Sequence, residues 1–305
     1  MKRVLALITT LMIPLVTARG EPLVGVTLTN SLVSFSSATP GTATTTAITG
    51  MTAGDQIVGI DMRPANNVLY GVATQFAVDG TSTGVARIYS INVGTGVATL
   101  ASTLAADPAD TTAPNPFTSL AGSFFGVDFN PVVDRLRVVS DTGQNLRINV
   151  ATGLTQFDVA LAYAGTDANV GSPPMVVASA YTPNTGGATT LFALDAALST
   201  LDTQTPANDG TLNTLGITSS TVFADSAFDI ADSGTGFVVL DGLTLATINL
   251  STGEVTELGA INTVGSISGL AVMVPEPGSI VIAGVGLVLL PLAARCRRLK
   301  RRMIA

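Results

Sequence analysis

Apolar positions in this chain come in short runs of Val, Ile, Leu and Phe, broken at near-regular spacing by Gly, Thr, Ser and Asn. Such runs predict strands of a few residues joined by tight turns. Helical spacing of useful length is found only around Leu191–Leu201, which reads as a short amphipathic helix. Two patterns recur. The first is a strand closed by a turn: "IVGIDMRP" from Ile57, "FFGVDFNP" from Phe124, "VVASAYTP" from Val176, "DSAFDIAD" from Asp225 and "SISGLAVMVP" from Ser266. The second is a strand that enters a reversal: "YSINVGTG" from Tyr89, "LRINVATG" from Leu146, "FALDAALS" from Phe192 and "ATINLSTG" from Ala246, with "VSFSSATPG" from Val33 as a looser copy. The glycine closing most of these reversals suits a point where the backbone needs positive φ to fold back.

Marked at Phe35, Ile91, Ile148, Leu194 and Ile248, the second pattern steps by 56, 57, 46 and 54 residues. A repeat near 50 residues with about four strands per unit is the requirement of a β-propeller blade. One such sheet cannot bury both its faces alone, so the units must stack. The last copy of the first pattern has no second pattern after it, and the first copy of the second has no first pattern before it. Joining them across the termini completes a fifth blade and closes the ring, which leaves only short edges. The predicted fold is therefore all-β, a propeller of five four-stranded blades: 265–274 with 23–50, then 56–104, 124–160, 175–218 and 225–262. A pair of sandwiches or an open solenoid would use similar strands. The proline-rich stretch from Ala105 to Gly122 reads as a solvent loop inserted between blades.

The two ends read as addresses. Residues 1–20, "MKRVLALITTLMIPLVTARG", join a basic start, an apolar stretch and small residues, the order of a secretory signal peptide. At the other end, "VPEP" (Val274 to Pro277) precedes an apolar run over 279–294 and then Arg295, Arg297 and Arg298. Sixteen residues of helix reach about 24 Å, short of a hydrocarbon core of roughly 30 Å. The run is thus a marginal transmembrane helix, with its cations on the cytoplasmic side. Residues 275–305 resemble the PEP-CTERM sorting signal of Gram-negative bacteria. That resemblance implies an exosortase as partner, with Pro275, Glu276 and Pro277 as the handle it recognises and removal or transfer of the tail there. A permanent single-span anchor is the alternative. Either way the body, residues 21–274, is expected outside the inner membrane, at the cell surface or beyond it.

Charge sharpens this picture. The body has no lysine and five arginines, Arg63, Arg87, Arg135, Arg137 and Arg147, against 20 carboxylates, a formal charge near −15. Such a surface repels nucleic acid and anionic headgroups. The chain has no histidine and no tryptophan, and its one cysteine, Cys296, lies in the tail. Ser/His and Cys/His nucleophile pairs, disulfides and thiolate metal sites are therefore excluded from the body.

The stretch "GVDFNPVVDRLRVVSDTGQNLRINVATG" from Gly126, followed by "ALAYAGTDANVGSPPMVVASAYTPN" from Ala160, resembles an uncharacterised bacterial family, domain of unknown function 4394, over nearly the whole body. The family implies no catalytic residue. Within its densest motif, period-two alternation places Arg135, Arg137 and Val139 on one face of a strand. Arg147 lies close in sequence, as do Asp128, Asp134 and Asp141. These six residues form either a set of structural ion pairs or an anion or sugar-acid site. Asp/Gly turns such as "DTGQN", "VDGTSTG", "NDGT" and "DSGTG" offer oxygens to Ca2+, but none has the spacing of an EF-hand or a nonapeptide repeat. No cofactor and no metal residue is assigned, with Ca2+ the one ion worth testing. The expected function is a non-catalytic envelope or extracellular-matrix protein, a scaffold or adhesion module that touches exopolysaccharide. The alternatives are a propeller-fold glycoside hydrolase, with channel-lining Asp residues as acid and base, and a Ca2+-dependent polysaccharide binder. Converging carboxylates with perturbed pKa values would favour the hydrolase, and carboxylates paired with Arg or spread over the rim would favour the scaffold.

Overall fold

The computed structural model describes residues 20–76, 84–111, 116–184 and 186–273. It consists of 22 strands and a single short 3-10 turn at Ala207–Asp209. Blade one holds β1 (Pro22–Thr27), β2 (Ser31–Ser36) and β3 (Thr39–Ala47), and blade two holds β4 (Gln56–Arg63), β5 (Val68–Thr74), β6 (Arg87–Ile91) and β7 (Ala98–Thr103). After the short β8 (Ala105–Ala106), blade three runs through β9 (Phe125–Asn130), β10 (Arg135–Ser140), β11 (Asn145–Ile148) and β12 (Leu154–Phe157). After β13 (Ala162–Tyr163), blade four runs through β14 (Val176–Tyr181), β15 (Leu191–Asp195), β16 (Thr200–Gln204) and β17 (Thr211–Ile217). Blade five is β18 (Ala227–Ile230), β19 (Gly236–Leu240), β20 (Thr244–Ile248) and β21 (Val255–Ala260). The last strand, β22 (Ile267–Val272), returns to blade one, whose order is β22-β1-β2-β3.

The ring closes as the repeat arithmetic requires. The innermost strands touch in a cycle: β22 meets β4, β4 meets β9, β9 meets β14, β14 meets β18, and β18 meets β22. Leu23 of β1 pairs with Phe35 on one side and Val272 on the other, so the first and last strands share one sheet. Five apolar clusters fill the five spaces between neighbouring blades. Strand β1 shows how alternation achieves this. Leu23 packs with Ala227, Phe237 and Val239 of blade five, while Val24 packs with Ile57 and Ile60 of blade two. Successive side chains of one strand therefore tie both neighbours to the closing blade.

Three details depart from the pattern reading. Leu191–Leu201 is no helix. Its apolar residues belong to β15 and β16, with Leu194 opposite Leu201 across a hairpin. For the same reason the step of 46 residues does not mark a short blade: Leu194 lies on the second strand of its blade, whereas the other four markers lie on third strands. The stretch from Ala105 to Gly122 is not merely a solvent loop. Ala105 and Ala106 pair in parallel with β12 as a fifth strand of blade three, and Phe117 and Leu120 are buried in the cluster between blades two and three. Strand β13 does the same for blade four by pairing with β17. Both additions cover outer edges that would otherwise be open.

The turn glycines pack blade against blade. At Gly153 (φ +74°) an added Cβ would sit 2.0 Å from the Thr103 carbonyl oxygen of the preceding blade. At Gly96 (φ +70°) the Cβ would lie 2.2 Å from the Ala47 carbonyl oxygen. Gly234 (φ +81°) has nothing within 4 Å of where its Cβ would be. Gly234→Ala is therefore expected to cost only the left-handed backbone penalty, about 1 kcal/mol, whereas Gly153→Ala must also push two blades apart and should cost about 3 kcal/mol. Equal midpoint shifts for the two variants in urea unfolding would contradict this.

Candidate functional site: a carboxylate triad at the ring axis

Aligning the five inner strands on their shared pattern puts Asp61, Asp128, Ala180, Asp229 and Ala271 at one equivalent position. The residue two places earlier is Gly59, Gly126, Ala178, Ala227 or Gly269. Period two sends both positions to the same side of the strand, toward the inner strand of the next blade, which lies so close that small side chains are favoured there. At Gly126 a Cβ would lie 2.6 Å from the Ser179 backbone nitrogen of the next blade.

An inner strand is also a sheet edge, with N–H groups that no partner strand satisfies. Three aspartates take up five of these groups. Met62 and Phe129 donate to Asp61 at 2.6 and 2.7 Å, Tyr181 donates to Asp128, and Ile230 and Val272 donate to Asp229 at 2.6 and 2.5 Å. All three carboxylates are buried, and one oxygen from each lies within 4.8 Å of the others. Burial, and then the charge of Asp229, holds the Asp61 carboxyl well above the usual range. Burial, and then the charges of Asp61 and Asp229, does the same to Asp128. Burial pushes Asp229 up to about 7. Burial and mutual charge thus favour the protonated form of acids that share one small space.

Above the triad opens a cavity of about 350 Å3. Its wall includes Phe129, Tyr181 and the prolines that end three copies of the first pattern, Pro64, Pro131 and Pro183. Chemically the triad can accept hydrogen bonds from ligand hydroxyls, or close on a cation. Ca2+–oxygen bonds of about 2.3–2.6 Å span up to roughly 5 Å across an ion, which matches the spread of the three oxygens.

The six residues of the arginine motif are distributed differently. Asp128 belongs to the triad. Asp134 pairs with Arg63, and Asp141 accepts the Ser123 N–H at 3.0 Å. Arg137 and Arg147 share Asp158, each at 2.6 Å, a partner that sequence reasoning did not single out. Arg137 also donates to Asn145 at 2.8 Å and Asn208 at 2.7 Å. Arg135 is exposed and donates to the Asp134 carbonyl at 3.1 Å. The residues of the tail signal, Pro275, Glu276, Pro277, Arg295, Arg297 and Arg298, lie outside the described residues, as does the signal peptide apart from Gly20. Among the described residues no helix is long and apolar enough to cross a membrane.

No curated protein matches the sequence. Among solved structures, the chain is similar to a structural genomics protein of unknown function from Bacteroides thetaiotaomicron, at 14% identity and a TM-score of 0.47, over 84% of this chain and 66% of that one. It thus spans just under two thirds of that protein's length. The family described as Domain of unknown function (DUF4394) matches over residues 31–271, from the third strand of the closing blade to its innermost strand, and the chain belongs to this family.

Proposed function

We propose that this propeller is a non-catalytic exported module of the envelope or extracellular matrix, which binds a hydroxyl-rich polymer, an exopolysaccharide, in the cavity over the triad. The observation that carries this reading is the convergence of three buried carboxylates on a concave site walled by Tyr181, Phe129 and three prolines. Hydroxyls find acceptors at the floor of the cavity and flat apolar surface at its sides, the usual make-up of a site for a polar organic ligand. The meeting of three buried carboxylate oxygens within 4.8 Å of one another supports binding of ligand hydroxyls or a cation. The signal peptide and the PEP-CTERM-like tail support export and sorting by an exosortase-type enzyme, with a transient membrane stage through residues 279–294.

One experiment addresses both halves. The protein is recovered from its native cells, with and without the sorting protease, and its intact mass and co-sedimentation with the secreted polymer are measured. A mass ending near Pro275 to Pro277, with protein in the polymer fraction, is expected. Asp128→Asn should be processed normally but bind at least tenfold more weakly, since one acceptor facing the ligand is lost. An uncut chain that stays in the inner membrane would sink the sorting reading, and shortening of the polymer over time would restore the hydrolase. Repeating the sedimentation in chelator and then in calcium tests the Ca2+-dependent form: binding that is unchanged throughout removes it.

A further inference from the structure

A second cavity, again of about 350 Å3, shares Tyr181 with the first. Three of the body's five arginines, Arg135, Arg137 and Arg147, line it together with Asn130 and Asn208, and no carboxylate does. Arg137 and Arg147 share the carboxylate of Asp158, and Asp110 acts on Arg147 from nearby, but neither acid lines the cavity. Arg137 is buried and held rigidly by Asp158, Asn145 and Asn208. Arg147 uses its Nε and one Nη on Asp158. Arg135 has no ion-pair partner among the described residues. On a body this acidic, a cavity whose charged lining residues are all arginines is a local reversal of charge. It is also preorganised, because the buried arginine cannot swing away.

Guanidinium forks suit a carboxylate with its two coplanar oxygens. The rest of the surface repels polyanions, and at physiological salt that repulsion fades beyond about 8 Å. A single acid group therefore fits here where a dense row of them does not. We infer that the arginine cavity is an anion subsite for one isolated carboxylate, that of a uronic acid residue in an otherwise neutral polysaccharide whose neighbouring sugar lies in the triad cavity. This rests on the polysaccharide reading above and specifies its substrate class.

The test uses the full chain with nitrogen-labelled arginine. Free glucuronic acid should shift the Nε signals of Arg135 and Arg147, while glucose should not. A neutral oligosaccharide carrying one uronate should bind about tenfold tighter than the same oligosaccharide without it, and tighter than a polyuronate of equal length. Arg135→Gln, at an exposed position with no ion pair to lose, should abolish that tenfold preference and leave the neutral affinity unchanged. Glucuronic acid that moves neither signal overturns the subsite, as does Arg135→Gln weakening both ligands equally, or a polyuronate binding as tightly as the mixed chain. Glucuronic acid that shifts the signals while no neutral sugar binds would instead retain the subsite and remove the polysaccharide reading.

Discussion

Replacing Asp128 by Asn should stabilise the protein at pH 8, enough to raise its melting temperature measurably, although it removes a buried carboxylate from the centre of the fold. The triad acids have folded-state pKa values above those of the unfolded chain, with Asp229 displaced from 3.8 to about 7. Between about pH 4 and pH 7 the folded protein therefore holds more protons than the unfolded chain. Stability from these groups is fully present below the lower limit and is lost as pH rises through the upper one. Asp202, buried in blade four and also pushed up to about 7 by burial, adds a change of the same sign. The expected result for the wild type, in chelator, is a melting temperature several degrees higher at pH 5 than at pH 8, the reverse of ordinary acid denaturation.

Asn at position 128 has the shape of the protonated acid. Its carbonyl can accept the Tyr181 N–H, and its amide can donate to Asp229. One negative charge leaves the cluster without an orphaned donor, so the variant should melt higher than the wild type at pH 8 and show a shallower slope between pH 5 and pH 8. The slope due to Asp202 should persist. Calorimetry across that range decides the matter. Wild-type stability that climbs steadily to pH 8 in chelator would mean that the carboxylates are ionised and stabilised, and the account of the triad would be wrong. A rise only when calcium is restored would assign the compensating charge to a bound cation.

Most of the fold was legible in the sequence because a propeller repeats itself. Five copies of a strand ending in a turn and five of a strand entering a reversal carry the same physical requirement, so the count and the closure followed from spacing. The failures came where blade four breaks the repeat. "FALDAALS" mimics a third strand but forms the second, because its Asp195 caps the following turn by accepting the Ala197 and Leu198 N–H groups in the way Asn149 and Asn249 act after true third strands. The parallel additions β8 and β13 are two residues each, too short for any periodic signal. The triad was present in the copies already aligned, with Asp61, Asp128 and Asp229 at one position of the repeat. The arginine-rich motif stands out in the sequence instead, because charge is dense there along the chain. Density along the chain is a weak guide here, since a ring brings together residues more than 60 apart: Phe129 donates to Asp61 across 68 positions. Asp158 escaped notice for the opposite reason, as its surroundings in "QFDVAL" carry no other charge.

Closure of the ring is a stability claim as well as a topological one, and Val24→Asp tests it. Val24 is fully buried, pairs with Ser34 and Ala271, and faces Ile57 and Ile60 of blade two. An aspartate there would bury a charge in an apolar seam with no cation beside it, at a cost of about 3–5 kcal/mol. The counterpart Leu23→Asp should cost as much at the seam with blade five, where Ala227, Phe237 and Val239 receive Leu23. In a closed ring neither seam can open alone, because every blade is held by two neighbours and the inner strands share the axial hydrogen bonds of Asp61, Asp128 and Asp229. Both variants should therefore unfold in urea as a single transition at lower midpoint, with the tyrosine signals of blades two and four, from Tyr89 and Tyr163, lost together. An open solenoid behaves differently, since damage at one terminal unit leaves distant units intact. A biphasic transition in Val24→Asp, with Tyr163 surviving the loss of Tyr89, would show that β1 and β22 decorate the blades and do not bind them into one cooperative unit.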